Sequence, residues 1–230
     1  MAGLKTFVAK YALAALGIWM ALGMIIGFAM PPIVDRAQNL ELYSRQIGYF
    51  HIPTAIAMLL AFAISAYHGV MWLRRRQIRN DALSLAYAEA GMMLGLVATV
   101  TGALFAKSNW GEYWSWDPQQ VGVLVTLITY AALFSLRGAV EEDDKKRNLW
   151  AVYAIFGCLT AFFASVVYRR LLPDLQTLHP KNTLFTSDWE VQLALLWNII
   201  AYTWLLVRVA NVRARLEMAS EQLKELIWAR

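Results

Sequence analysis

Long uncharged apolar runs alternate with short polar ones along this 230-residue chain. Six runs are long enough to matter, at roughly 8–30, 50–73, 82–106, 119–140, 148–170 and 187–207. About 20 apolar residues, rising 1.5 Å each as a helix, cross a hydrocarbon core of about 30 Å. Acidic residues within them are few: Glu89 in the third run, Asp188 and Glu190 at the start of the sixth. The pattern predicts an all-α integral membrane protein, one six-helix membrane domain spanning residues 1–230. Beyond Arg208 the tail keeps Val209, Val212, Leu216, Leu223 and Ile227 at helical spacing. That spacing makes residues 208–230 a short C-terminal helix, either an extension of the last span or an amphipathic docking surface. The first run is longer than a signal-peptide core, and Pro31-Pro32 follow it where small residues would be needed for cleavage.

Charge adds orientation. Only 16% of residues are charged, against about a quarter in a soluble domain. With the N-terminus inside, the outer segments hold Arg36, Arg45, Lys107, Arg169, Arg170 and Lys181, and the remaining 15 of the 21 basic residues fall inside. This asymmetry follows the positive-inside rule and predicts that both termini are cytoplasmic. The net charge of +5 is then topological, and nucleic acid is not an expected partner; the lipid bilayer is. The single cysteine, Cys158, excludes an internal disulfide, a CxxC thiol pair and a CxxCH haem-attachment site.

Candidate chemistry gathers on the outer side. The connection between the third and fourth runs reads WGEYWSWDP, with Trp110, Gly111, Glu112, Tyr113, Trp114, Ser115, Trp116, Asp117 and Pro118. An interfacial aromatic belt places Trp and Tyr near helix ends. Three tryptophans in one loop with two carboxylates suit another purpose, a stacking surface for a large flat ligand. Two of the three histidines share that side: His51 opens the second run, ahead of Pro53 in its first turn, and His179 lies in LQTLHPKN. His68, 17 residues beyond His51, is about 25 Å away along a helix and belongs to the other side. Two imidazoles from separate segments can hold a metal centre from opposite faces, as axial ligands do in haem. Zinc would want a third protein ligand, and the outer segments offer no cysteine and no further histidine. The residues therefore predict haem, or a similar planar cofactor, at the outer face.

The motif W-G-x-x-W-x-W-D at 110–117 resembles the tryptophan-rich signature of haem-handling proteins of cytochrome c biogenesis. Six spans in this length look like the CcmC family, the shorter branch, with FHIPTA around His51 and TLHP around His179 flanking the loop in the family's order. The resemblance implies that haem b is bound non-covalently and transiently at the periplasmic face of the bacterial cytoplasmic (inner) membrane. It makes His51 and His179 the axial ligands and Trp110, Gly111, Trp114, Trp116 and Asp117 the cofactor-binding loop. It also implies delivery of haem to the chaperone CcmE, with the CcmA/CcmB ABC transporter and the small membrane protein CcmD as partners. One departure is that Pro118-Gln119-Gln120 follow the Trp-Asp pair where the branch commonly carries a basic residue; Lys107, Arg169 and Arg170 are the nearby outer cations. With no Walker A sequence, ATP use falls to a partner. The expected role is binding and transfer, with no enzymatic motif.

Two other readings compete. A fixed bis-histidine b-type cytochrome would place its histidines between helices in the bundle core. A transporter for another flat ligand would show broken helices or charges at mid-membrane. Glu89 reads as a snorkelling carboxylate or the partner of an arginine on a neighbouring span, against a default functional role. Gly17, Gly23, Gly27, Gly91, Gly95 and Gly102 read as close-packing positions.

Overall fold

Helices account for nearly all of the computed structural model, which describes residues 2–30, 33–35, 40–42, 45–167, 177–179, 185 and 187–228. The helices are α1 (Ala2–Ala29), α2 (Arg45–Arg75), α3 (Ile78–Trp110), α4 (Pro118–Ala139), α5 (Asp143–Phe162) and α6 (Trp189–Trp228). All six are long and apolar enough to cross a membrane, and the protein is a multi-pass membrane protein. A short antiparallel ribbon between α1 and α2 adds the only strands among the described residues, β1 (Ile33–Asp35) and β2 (Leu40–Leu42), with Val34 opposite Glu41. Because the helices alternate in direction, the ends that meet at the tryptophan loop are the last turns of α1, α3 and α5 and the first turns of α2, α4 and α6. This is called the loop end below.

The helix bounds differ from the apolar runs in ways that bear on the site. α2 begins at Arg45, so Pro53 lies well inside it rather than in its first turn. Proline removes the amide that would bond the carbonyl four residues back. The hydroxyl of Thr54 bonds the carbonyls of Phe50, at 2.9 Å, and His51, at 2.8 Å, in that same stretch. α5 ends in a π-helical turn, Phe163–Val167. α4 passes close to that turn at Gly122, where a β-carbon would run into the Ala164 carbonyl. The tail does not break away: α6 is one helix of 40 residues, about 60 Å long at 1.5 Å per residue.

Three buried clusters hold the bundle. Met58, Phe62, Leu85, Tyr130 and Trp150 join α2–α5, with the Phe62 and Tyr130 rings stacked at 3.7 Å. Ala61, Ala82, Ala86, Ala90, Leu206, Ala210 and Ala214 let α2, α3 and α6 approach closely, as small residues do where lipid offers no hydrophobic drive. At the loop end Tyr49, Phe105, Val191, Ala194 and Leu195 form the third, with Trp110 packed against it. α1 is fastened to α6 by paired tryptophans: Trp19 and Trp197 stack at 4.0 Å, and each indole N–H donates to the other's backbone carbonyl.

At the opposite end, charges are paired. Asp81 is buried and takes both Arg137 nitrogens, at 2.9 and 2.7 Å, while Arg147 bonds Glu221 on α6 at 2.7 Å. Glu89 is held by Arg213 of α6 at 2.7 Å, the neighbouring-span pairing. His68 lies at this end too, its ring hydrogen-bonded to Asn80 at 3.1 Å.

Candidate functional site at the loop end

The loop is built by its glycine and its lysine. Gly111 ends α3 in the left-handed region, φ 84°, and its amide donates back to the Lys107 carbonyl. Glycine is the residue that takes this conformation without a Cβ penalty. The Lys107 ammonium returns a bond to the Gly111 carbonyl at 2.7 Å and lies 5.5 Å from the Tyr113 ring centre. Lys107 thus closes the helix end and braces the loop. Arg169, Arg170 and Lys181 lie outside the described residues.

Farther along, the Gln120 side-chain carbonyl accepts from the Ser115 amide at 2.9 Å and from its hydroxyl at 3.2 Å. Trp116 follows with φ 56°. For a large side chain this backbone conformation costs about 1–3 kcal/mol and persists only where the surroundings impose it. Its effect is to turn the Trp116 ring outward, 71% exposed, edge-to-face with Trp114 at 5.8 Å. Trp110 points the other way, into the protein, edge-on to Phe105 at 5.8 Å and to His179 at 5.1 Å.

Asp117 is the hinge pin of the arrangement. It caps α4, with Pro118 at the first helical position, as Asp and Pro are suited to do. One carboxylate oxygen accepts from the Gln119 amide at 2.9 Å and from His179 Nδ1 at 2.7 Å. The other accepts from the Thr177 hydroxyl at 2.8 Å and the Leu178 amide at 2.6 Å. A carboxylate has about four lone-pair sites, so all are taken. The residue is 4% exposed. Burial alone would raise its pKa; the bond and charge of His179, with the amides of Leu178 and Gln119, outweigh that and hold the carboxyl well below the usual aspartate range. Asp117 therefore acts on His179 and not outward on a ligand, although its place in the motif groups it with the ligand-facing residues.

His51 is held differently. Its Nδ1 lies 3.0 Å from the Ala98 carbonyl and 3.3 Å from the Thr101 hydroxyl, both on α3. A carbonyl only accepts, so Nδ1 carries the hydrogen and Nε2 the lone pair. Gly102 gives the ring its space, since a β-carbon there would sit 2.8 Å from His51 Cε1. The carboxylate at His179 imposes the same tautomer. In both histidines Nδ1 is the nitrogen held by an acceptor, a carbonyl at His51 and a carboxylate at His179, and Nε2 carries the lone pair. The last turns of α3 link them, from Gly102 under His51 through Phe105 to Trp110 against His179.

The donor set fits a porphyrin iron: two imidazole nitrogens with fixed tautomers, bordered by aromatic rings. Among the described residues no group of three or more His, Cys, Asp or Glu could hold a metal ion by itself. The family model "Heme exporter protein C", CcmC, matches residues 2–229. The chain belongs to the CcmC family. Relatives carrying that name include one from Rhodobacter capsulatus, 26% identical over 213 residues, covering 89% of this chain and 84% of the relative. Another, from Escherichia coli K12, is 26% identical over 221 residues, covering 92% and 86%.

Against the family signature, the structure unites Trp110, Asp117 and His179 directly and links His51 to them through α3. Ala98, Thr101 and Gly102, which seat His51, do not stand out in sequence, nor does Thr177 beneath His179. Only the helical offset of three from Ala98 to Thr101, with Gly102 alongside, hints that one face of α3 is reserved.

Proposed function

We propose that this chain binds haem b between His51 and His179 at the outer, periplasmic face of the bacterial cytoplasmic membrane and delivers it to the haem chaperone CcmE during cytochrome c maturation. The partners are CcmA/CcmB, which supply ATP hydrolysis, and CcmD. The observation that supports this most is the matched tautomer of the two histidines, each tied through Nδ1 and offering Nε2. Metal-ligating histidines are held in this manner, through the ring nitrogen that does not bind. Membership of the heme exporter protein C family adds the biological setting.

The protein's own work is binding and release. His51 comes from a helix and His179 from a loop, so one ligand can leave without unseating the other. The outward Trp116 ring, with the half-buried Trp114 against its edge, gives the flat cargo a stacking edge that a soluble acceptor can reach. Asp117, saturated by protein hydrogen bonds, has no lone pair left to turn toward the cargo. Absorption spectra of the detergent-purified protein, oxidised and dithionite-reduced, test the reading. A low-spin b-type spectrum that is weakened or converted in both His51→Ala and His179→Ala is expected. A wild type that takes up no added haem overturns it. Transfer of the haem to CcmE then separates a donor from a fixed cytochrome.

A further inference from the structure

Asp117 lies 62 residues before His179 and reaches it with a 2.7 Å hydrogen bond, from a buried position at the N-terminus of α4. Its second oxygen holds the two residues before the histidine, Thr177 and Leu178. Thr177 itself accepts from the His179 amide at 3.2 Å. The segment 177–179 is therefore strapped to the tryptophan loop by one side chain. Among the described residues no comparable carboxylate backs His51, whose Nδ1 meets a neutral carbonyl and a hydroxyl. A carboxylate behind an imidazole raises its basicity at the far nitrogen, and removing such a partner typically costs 10–100-fold in metal affinity.

We propose that Asp117 is the positioning residue of this site: it selects the Nδ1–H tautomer of His179, makes its Nε2 the stronger of the two haem ligands, and ties that ligand to the tryptophan loop. The inference rests on the haem-binding reading above and extends it. Two consequences follow. The His179–iron bond favours the ferric state more than the His51–iron bond does, because a more basic imidazole donates more strongly to the higher charge. His51 is the ligand that yields first when an acceptor approaches.

The test separates this from simple helix capping. Asparagine and serine both cap helices about as well as aspartate, so Asp117→Asn and Asp117→Ser keep the α4 start. Nitrogen NMR of the histidine-labelled, haem-free protein reads the tautomer directly. Wild type is expected to show His179 with Nδ1 protonated, and Asp117→Ser a mixture with Nε2 protonated. Glu112→Gln, which removes a loop charge without touching His179, leaves the tautomer unchanged. An unchanged tautomer in Asp117→Ser overturns the positioning role, whether or not haem binds. With haem added, Asp117→Asn is expected to lose about tenfold in ferric over ferrous affinity, a rise of about 59 mV in reduction potential. An unmoved potential in a variant that still binds haem overturns the ligand-strengthening claim and leaves the haem reading standing. A wild type that binds none sinks the haem reading, and the tautomer experiment still decides the strap.

Discussion

His51 and His179 present the same nitrogen but are fixed by opposite means. His51 rides on a long helix and is immobilised by shape, in a notch left by Gly102 and closed by Ala98 and Thr101. His179 lies outside any helix and is immobilised by charge, 20% exposed and hung from a buried carboxylate. Shape complementarity fails abruptly when volume is added. A charge-assisted strap fails when its acceptor is removed or protonated. The two proposed ligands can therefore be perturbed one at a time.

The largest effect is expected from Asp117→Ala. It strips the α4 cap, worth about 1 kcal/mol, and leaves buried amides of the strap unsatisfied at about 1–3 kcal/mol. Thermal unfolding in detergent should fall accordingly, and haem titration should show affinity lost by at least the 10–100-fold typical of outer-shell partners. Gly102→Val comes next and acts on the other histidine. Its β-carbon meets the His51 ring, so haem affinity should drop by about tenfold or more while the His179 tautomer stays as in wild type; a shifted tautomer would break the separation of the two sites.

Acid should act on one histidine's support only. The folded-state pKa of Asp117 lies below its unfolded value, so its contribution to stability is complete above the ordinary aspartate range, about 3.9, and is lost as pH falls below it. The melting difference between wild type and Asp117→Asn should thus shrink as pH falls below about 4. Thr101→Val is the mildest change. It removes the longer of the two contacts to His51 Nδ1, leaves the Ala98 carbonyl in place, and should cost less than about 1 kcal/mol in unfolding and only a few-fold in haem affinity.

Much of this was legible in the chain before folding. The six spans follow from the solvent, since lipid demands uninterrupted apolar helices and any exception shows. Trp110, Trp114 and Trp116 announce themselves by concentration, and His51 and His179 by scarcity. Seats are harder to read than ligands. Gly102 looks like any small residue on a packed helix, because only its alignment with a ring on α2 gives it a second meaning. The link from Asp117 to His179 spans 62 residues and has no local pattern. The start of α2 was set by hydropathy at about residue 50, whereas polar residues carry the helix back to Arg45 and move Pro53 into its interior. The π turn of α5, which α4 approaches at Gly122, depends on a neighbouring helix rather than on its own residues.

One member of the fold has a mechanical meaning. α6 packs Val191 and Leu195 beneath the loop end and carries Arg213 and Glu221 to the ionic cluster at the opposite end, in a single unbroken rod. A rod of about 60 Å without a hinge is a lever: a tilt of about 5° about its middle displaces each tip by about 2.6 Å. That is longer than a bond between iron and nitrogen, so a tilt of that size would shift the packing beneath the loop end on the scale of coordination itself.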